Sequence, residues 1–441
     1  MSEFAPIPQD LSVEAIGVSY AGRPVTEYLN PVEVTQKLVQ IPSHESERNI
    51  GLWIAGFVAE HGPSGFNSYR IPSEDPNKET LIVANSDKPD LIALTHIDNV
   101  GPWVVGNEEG QGKYDPFGGV IDGGNLYGLG SADQKAGSAA MLTALASFKG
   151  REQELPKLML AFTGDEEGDF AGINALAQHF KKIQAEDPSY KPSFVLTTGS
   201  DGEIGYQCRG VAELEMVLRG ETGHAAVKTP GTKETVNAFQ LGFKAVETVA
   251  EELKAREATT LGVTTYNMAA GTAGLVVPIE GGTEVRQNRG NRVPDYLKIR
   301  AEFRPNGDSI NGQKIDEPTI AGLIREEAEK RGLRVEDHKQ IFDFPAWLGD
   351  QQESQWLVDI IKRTTGVSDV PIWNASQHGY EEGAILFDAL SRGGKSIPAA
   401  IFGFGKSSVF HKPDEHVEVE KIPMHHDVLV EAFRHPQFKK K

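Results

Sequence analysis

Short, nearly continuous apolar runs recur along this chain: Thr80–Ala84, Leu91–Thr95, Lys157–Phe162, Ser193–Thr198 and Ala399–Gly403. A strand with one wet face alternates apolar and polar residues, so a run that stays apolar needs cover on both sides. Helix-period stretches separate the runs. Asn30-Pro31 reads as an N-cap followed by proline in a first helical turn. The segment around Glu45–Glu60 places Ile50, Trp53, Ile54, Phe57 and Val58 on one face, and further helices are expected over Ala136–Phe148 and Phe170–Lys182. Strands alternating with helices in this way predict an α/β unit, a mostly parallel sheet with helices on both faces. In such sheets ligands bind beyond the C-terminal ends of the strands.

The pattern changes near Val211. Strand, helix, two strands, helix and strand follow in that order: Glu213–Leu218, Glu234–Lys254, Thr264–Ala269, Tyr296–Phe303, Thr319–Arg331 and Arg334–Ile341. This is the order of a ferredoxin-like α+β sandwich. The first pattern then returns with helices at Gln351–Thr364 and Glu381–Leu390 and a last helix near the C-terminus. The expectation is a discontinuous first domain, 1–210 and 344–441, with a second domain inserted at 211–343. A chain of 441 residues is also too long for one ordinary core.

Composition narrows the function classes. A net charge of −19 speaks against nucleic acid as the main partner, and no apolar run reaches the roughly 20 residues of a membrane helix. A single cysteine, Cys208, fits a reducing compartment, and with no secretory-type start the expected location is cytoplasmic.

Chemistry-bearing side chains gather where the strands end. His96 and Asp98 lie two residues apart, so on an extended chain both point the same way. A carboxylate on one ring nitrogen makes the other a better metal ligand. Taken alone, His-x-Asp is common in ordinary cores. Asp165-Glu166-Glu167 follows another apolar run between Gly164 and Gly168; alone it is a solvated acidic triplet, yet adjacent carboxylates can divide ligation and general-base work between them. Asp201 follows a third strand, His411 a fourth, and Asp133 sits in the glycine turn LYGLGSADQKAG. Two histidines with several carboxylates suit zinc, with manganese or cobalt tolerated. Two such ions sharing one carboxylate lower the pKa of water to about 7.

These segments, in this order, resemble the co-catalytic zinc hydrolases that include acetylornithine deacetylase, succinyl-diaminopimelate desuccinylase, aminoacylase, carnosinase-type dipeptidases and peptidase T. LTHIDNV is similar to the family's His-x-Asp strand, LYGLGSADQKAG to its bridging-aspartate turn, FTGDEEGDFAG to its Glu-Glu turn and FHKPDEHV to its last histidine segment. The resemblance implies two zinc ions bridged by Asp133, one completed by His96 and Asp201 and the other by Glu167 and His411. Glu166 would be the general base and Asp98 would orient His96. It also implies a cis peptide bond after Asp133. It implies that the discontinuous domain is catalytic and the inserted one a lid. In the lid it implies His224 for polarising the scissile carbonyl, Asn291 in an Asn-x-Val-Pro turn, and Arg304 for gripping a substrate carboxylate. The partner class is a small peptide or N-acyl amino acid, and the lid implies a homodimer.

Substrate signals are mixed. Asp201, where the family's deacylases carry Glu, leans toward dipeptidases and aminopeptidases, whereas LYGLGSAD resembles acetylornithine deacetylase. Ser376–Gly383 departs from the family pattern, with Glu381 or Glu382 standing where an aspartate is usual. An N-acyl amino-acid deacylase is therefore the alternative. Two other classes stay open: a catalytically inactive metal-binding relative, and a nucleotide-binding protein on the strength of AIFGFGKS, a loosened phosphate-loop pattern.

Overall fold

The structure is a computed structural model, and it describes residues 30–73, 75, 77–102, 112–224, 235–256, 265–279, 282–286, 292–305, 309–310, 313–373, 380–391 and 396–438. Its contacts divide the chain into two compact units. The first comprises residues 1–206, 349–373 and 385–441; the second comprises 207–348 and 374–384.

The first unit is built on an eight-stranded sheet: β1 (Asn67–Pro72), β2 (Glu79–Ala84), β3 (Leu91–His96), β4 (Leu158–Thr163), β5 (Phe194–Ser200), β6 (Ile204–Gly205), β7 (Ile372–Trp373) and β8 (Ala399–Gly405). The spatial order is β1-β2-β4-β3-β5-β8-β6-β7. The centre, β4-β3-β5-β8, is parallel throughout. The margins are mixed: β1 and β2 run antiparallel on one side, as does β6 against β8 on the other.

Both faces are covered because alternate residues of the central strands find different apolar partners. Leu81, Val83, Leu91, Ala93, Leu158, Leu160 and Phe162 join one core with the helices Arg48–His61, Ala136–Ala146, Gln355–Thr365 and Lys421–Phe433. Their neighbours Ile82, Ile92, Leu94, Met159 and Ala161 are equally buried. The helix Ala171–Glu186 lies against β1 and β2 through an apolar stripe that includes Ile173, Leu176, Ala177 and Phe180. The first helix, Pro31–Val39, starts as its sequence dictates, with the Asn30 side chain accepting the Val32 N–H at 2.9 Å. β1 carries no apolar run, since most of it is only half-buried at the sheet edge.

The second unit has its own core. A five-stranded antiparallel sheet takes the order Gly282–Arg286, Thr265–Ile279, Tyr296–Arg304, Val211–Arg219, Arg334–Phe344. Leaving aside the added hairpin strand Gly282–Arg286, this is the strand order of a ferredoxin-like sandwich. Tyr296–Arg304 buries every second residue, and Leu297, Ile299, Ala301 and Phe303 pack on the helices Ala238–Arg256 and Glu317–Lys330. The strand expected over Thr264–Ala269 is far longer than the sequence implies, because its glycine- and alanine-rich half gives a weak strand signal. Among the described residues no helix is long and apolar enough to cross a membrane.

Phe162 is fully buried at the centre of the parallel block. Phe162→Ala should lower unfolding stability by about 3–5 kcal/mol, the usual cost of an emptied aromatic site. Denaturant unfolding of the wild type and the variant measures it.

Candidate metal centre

Every strand of the parallel block delivers a polar side chain to the same rim. His96 is the last residue of β3, in register with Thr163 of β4. The chain then turns after Thr163, with Asp165 in the left-handed region at φ 65°. Asp165 closes that turn on itself: its Oδ2 accepts the N–H groups of Asp169 (3.1 Å) and Ala171 (3.2 Å). This presents Glu166 and Glu167 above the sheet. His411, also left-handed at φ 54°, follows β8 and its short 3-10 turn Ser407–Val409. A phosphate loop would continue into a helix there, so AIFGFGKS is a strand end rather than a nucleotide site.

Asp133 arrives from the hairpin Val120–Asp122/Asn125–Tyr127 and precedes the helix Ala136–Ala146. Gly128, at φ 149°, allows the approach; a Cβ there would meet Val39 Cγ1 at 2.4 Å. The Asp133–Gln134 peptide bond is cis.

The carboxylate of Asp133 lies between two imidazoles. Its Oδ1 is 3.1 Å from His96 Nε2, and its Oδ2 is 3.6 Å from His411 Nε2. Glu167 Oε1 and Oε2 stand 3.0 and 2.9 Å from the same His411 nitrogen. Donor atoms of His96, Glu166 and Glu167 lie within 4.8 Å of one another, as do those of Asp133, Glu167 and His411. Behind His96, Asp98 Oδ1 makes an ion-pair contact with Nδ1 at 3.3 Å, while Asp98 Oδ2 accepts the Glu167 N–H at 3.0 Å.

Electrostatics follow from this crowding. Burial works against a charge on His96, but Asp133, Asp98 and the nearby Glu166 outweigh it and lift its pKa well above the usual imidazole value. Bonds to Asp133 and Glu167 push His411 up to about 10. Burial raises Asp133, yet the two histidines pull it down to about 2. Burial holds Glu167 above the usual carboxylate range. Carboxylates outnumber imidazoles here, and the histidines hold protons to offset the surplus. A divalent cation offsets it better, and the nitrogen and oxygen donors are those zinc takes. The residues fit such an ion.

The remaining candidates are placed as follows. Asp201, at φ 65° after β5, lies outside both donor groups, and its Oδ1 accepts the Ser407 N–H at 3.2 Å. His224 and Arg304 belong to the second unit: His224 pairs with Arg292 in an isolated bridge, and Arg304 Nε bonds Glu302 at 2.8 Å. Asn291 lies outside the described residues, as do residues 376–379; Glu381 and Glu382 are described and buried.

Two buried groups add to this set. Glu415 spreads its carboxylate over the Asp133 turn, and burial together with the Asp133 charge pushes it up to about 8. Lys135 is fully buried beneath the turn, its Nζ bonding Ile41 O (2.9 Å) and Asn99 Oδ1 (3.0 Å), and burial pulls it down to about 7. Neither stands out in the sequence, where each sits among polar residues of solvated type. The available signal is their closeness to Asp133 and His411.

The chain is similar to several known proteins. Residues 94–435, more than half of the chain, match the model of peptidase family M20/M25/M40. A succinyl-diaminopimelate desuccinylase 2 from Ruegeria sp. (strain TM1040) is 28% identical over 412 residues, covering 89% of this chain and 92% of the relative. A succinyl-diaminopimelate desuccinylase from Methylobacterium sp. (strain 4-46) is 25% identical over 295 residues, 65% of this chain and 72% of the relative. The crystal structure of a Staphylococcus aureus tripeptidase superposes with a TM-score of 0.62 at 21% identity, covering 92% of this chain and 97% of that one. The chain is a member of peptidase family M20/M25/M40, a hydrolase acting on amide bonds.

Proposed function

We propose that this chain is a di-zinc hydrolase that cleaves the amide bond of small peptides, in the manner of a dipeptidase or aminopeptidase, or of N-acyl amino acids. The observation that carries the reading is the Asp133 carboxylate facing both His96 and His411, with Glu166 and Glu167 at the same point. Asp133 would hold both ions, with His96 and Asp201 on one and Glu167 and His411 on the other. The bound pair would supply Lewis acidity and make water a nucleophile near neutral pH. Glu166, whose carboxylate stands with His96 and Glu167, would take a proton from the attacking water and hand it to the leaving amine. Asp98 fixes the ring of His96. His224 would donate to the carbonyl oxygen as charge develops there, Arg304 would grip a substrate carboxylate in the two-pronged way of a guanidinium, and Asn291 would be a further substrate-binding residue. A lid that supplies His224 across a two-fold interface makes the working form a homodimer. The catalytic domain would span 1–210 and 344–441, with the lid at 211–343, in a cytoplasmic enzyme.

Asp201 favours free peptides. The deacylase alternative has support of its own, since both sequence relatives above carry the name desuccinylase. Turnover of dipeptides, tripeptides and N-acetyl or N-succinyl amino acids by the zinc-loaded protein separates the two. Cleavage confined to free N-termini selects the peptidase. Cleavage of only acylated amino acids selects the deacylase, and no turnover of any with metal bound makes the protein an inactive relative.

Glu166→Gln should retain its metal and lower kcat roughly a hundred- to ten-thousand-fold with little change in KM. Wild-type kcat in that variant removes Glu166 from the proton-transfer role.

Zinc titration of the chelator-stripped protein should give two ions per chain. At pH 8 binding should release protons, because His411, with its pKa raised to about 10, is still protonated in the metal-free form and must be neutral to ligate. Calorimetry in buffers of different ionisation enthalpy reads that release. Asp133→Ala should lose both ions, and Glu167→Ala mainly one.

A further inference from the structure

Glu415 lies four residues beyond His411 and is 2% exposed. A carboxylate is costly to bury without donors. Here the donors are main-chain groups of a single turn. Oε1 accepts the N–H of Ala132 at 2.9 Å and that of Asp133 at 3.1 Å; Oε2 accepts the N–H of Gly130 at 3.1 Å. The Glu415 carbonyl oxygen takes a fourth, from Gly128 at 2.9 Å. One residue thus holds the whole approach to Asp133, including the N–H of Asp133 itself.

Its place in the chain gives the contact a further consequence. The segment that carries Glu415 also carries His411, and the turn it grips carries Asp133, whose Oδ2 faces His411. The bonds therefore couple two segments 282 residues apart in sequence whose side chains meet at the candidate centre. Two acceptor oxygens are needed to answer all three side-chain bonds. A glutamine offers one oxygen, and in either orientation its NH2 faces at least one of the N–H groups.

We propose that Glu415 is a positioning residue of the metal centre, acting through the 128–133 turn to set where Asp133 presents its two oxygens. The inference rests on reading the cluster as a metal site. Removing a group that orients a ligand typically weakens metal binding about 10- to 100-fold.

The test is zinc affinity of the stripped full-length protein, measured by competition with a chromogenic chelator for wild type, Glu415→Gln and Glu317→Gln. Glu317 is an equally buried glutamate in the second unit, bonded to His338 at 2.6 Å, and controls for the general effect of losing a buried carboxylate. Glu415→Gln should keep cooperative unfolding and bind zinc about 10- to 100-fold more weakly at both positions, whereas Glu317→Gln should bind as wild type does. Unchanged affinity in Glu415→Gln, or an equal loss in Glu317→Gln, overturns the inference alone. Wild type that takes up no zinc overturns the metal reading with it. If Glu415→Gln does not fold, amide exchange of the stripped wild type decides: sheet-like protection of the Gly130, Ala132 and Asp133 N–H groups supports the proposal, and loop-like exchange overturns it.

Discussion

A carboxylate held between two imidazoles, inside a cluster with more acids than bases, sets the terms for the rest of this structure. Asp133 is buried beside Glu166, Glu167, Asp98 and Glu415, and the carboxylates around His96 and His411 raise the pKa of both imidazoles. The arrangement is costly for the fold and useful for binding a cation. Backbone conformations around it follow suit. Asp165, Asp201 and His411 all adopt left-handed φ, which non-glycine residues rarely do, and each does so just past a strand of the parallel block or at its rim.

A polar layer beneath the rim keeps the acids in place. Lys78 pairs with the buried Glu47 at 3.1 Å and with Asp165 at 3.4 Å, so the turn presenting Glu166 and Glu167 is pinned from below. Lys135 performs the matching task under the Asp133 turn, reaching Asn99, which in turn accepts the Ser43 hydroxyl at 2.8 Å. Lys78 puts charge of the opposite sign close to the cluster, which softens the mutual repulsion of the carboxylates. The Ile41-Pro42-Ser43 stretch thereby has a physical role: Ile41 offers its carbonyl and Ser43 its hydroxyl to this layer.

What the sequence reveals depends on how much of an element's stability is local. β2, β3, β4, β5 and β8 are legible because doubly covered strands must be apolar along their length, and the first helix because Asn30 caps it. The gathering of His96, Asp133, Glu166, Glu167 and His411 is legible for a related reason: a parallel sheet puts every strand end on one rim. β1 escapes, since a half-buried edge strand can be polar, and so do two-residue strands such as β6, which exist only because β8 and β7 flank them. Glu415 and Lys135 escape for the opposite reason. Their side chains read as solvent-facing, and only the tertiary path of the turn buries them.

The same logic separates what this chain shares with its relatives from what is its own. The cluster with its supporting charges is contained in the first unit, built on strands whose spacing the sheet dictates. The second unit folds around a core of its own, built from Leu297, Ile299, Phe303 and their helix partners. A protein named for desuccinylation matches nearly the whole chain at 28% identity, and the fold of the whole chain is shared at 21% identity. Amide cleavage is the chemistry of the family as a whole. Arg304 and His224 lie in this second unit, Arg304 on the strand Tyr296–Arg304 and His224 in its bridge to Arg292.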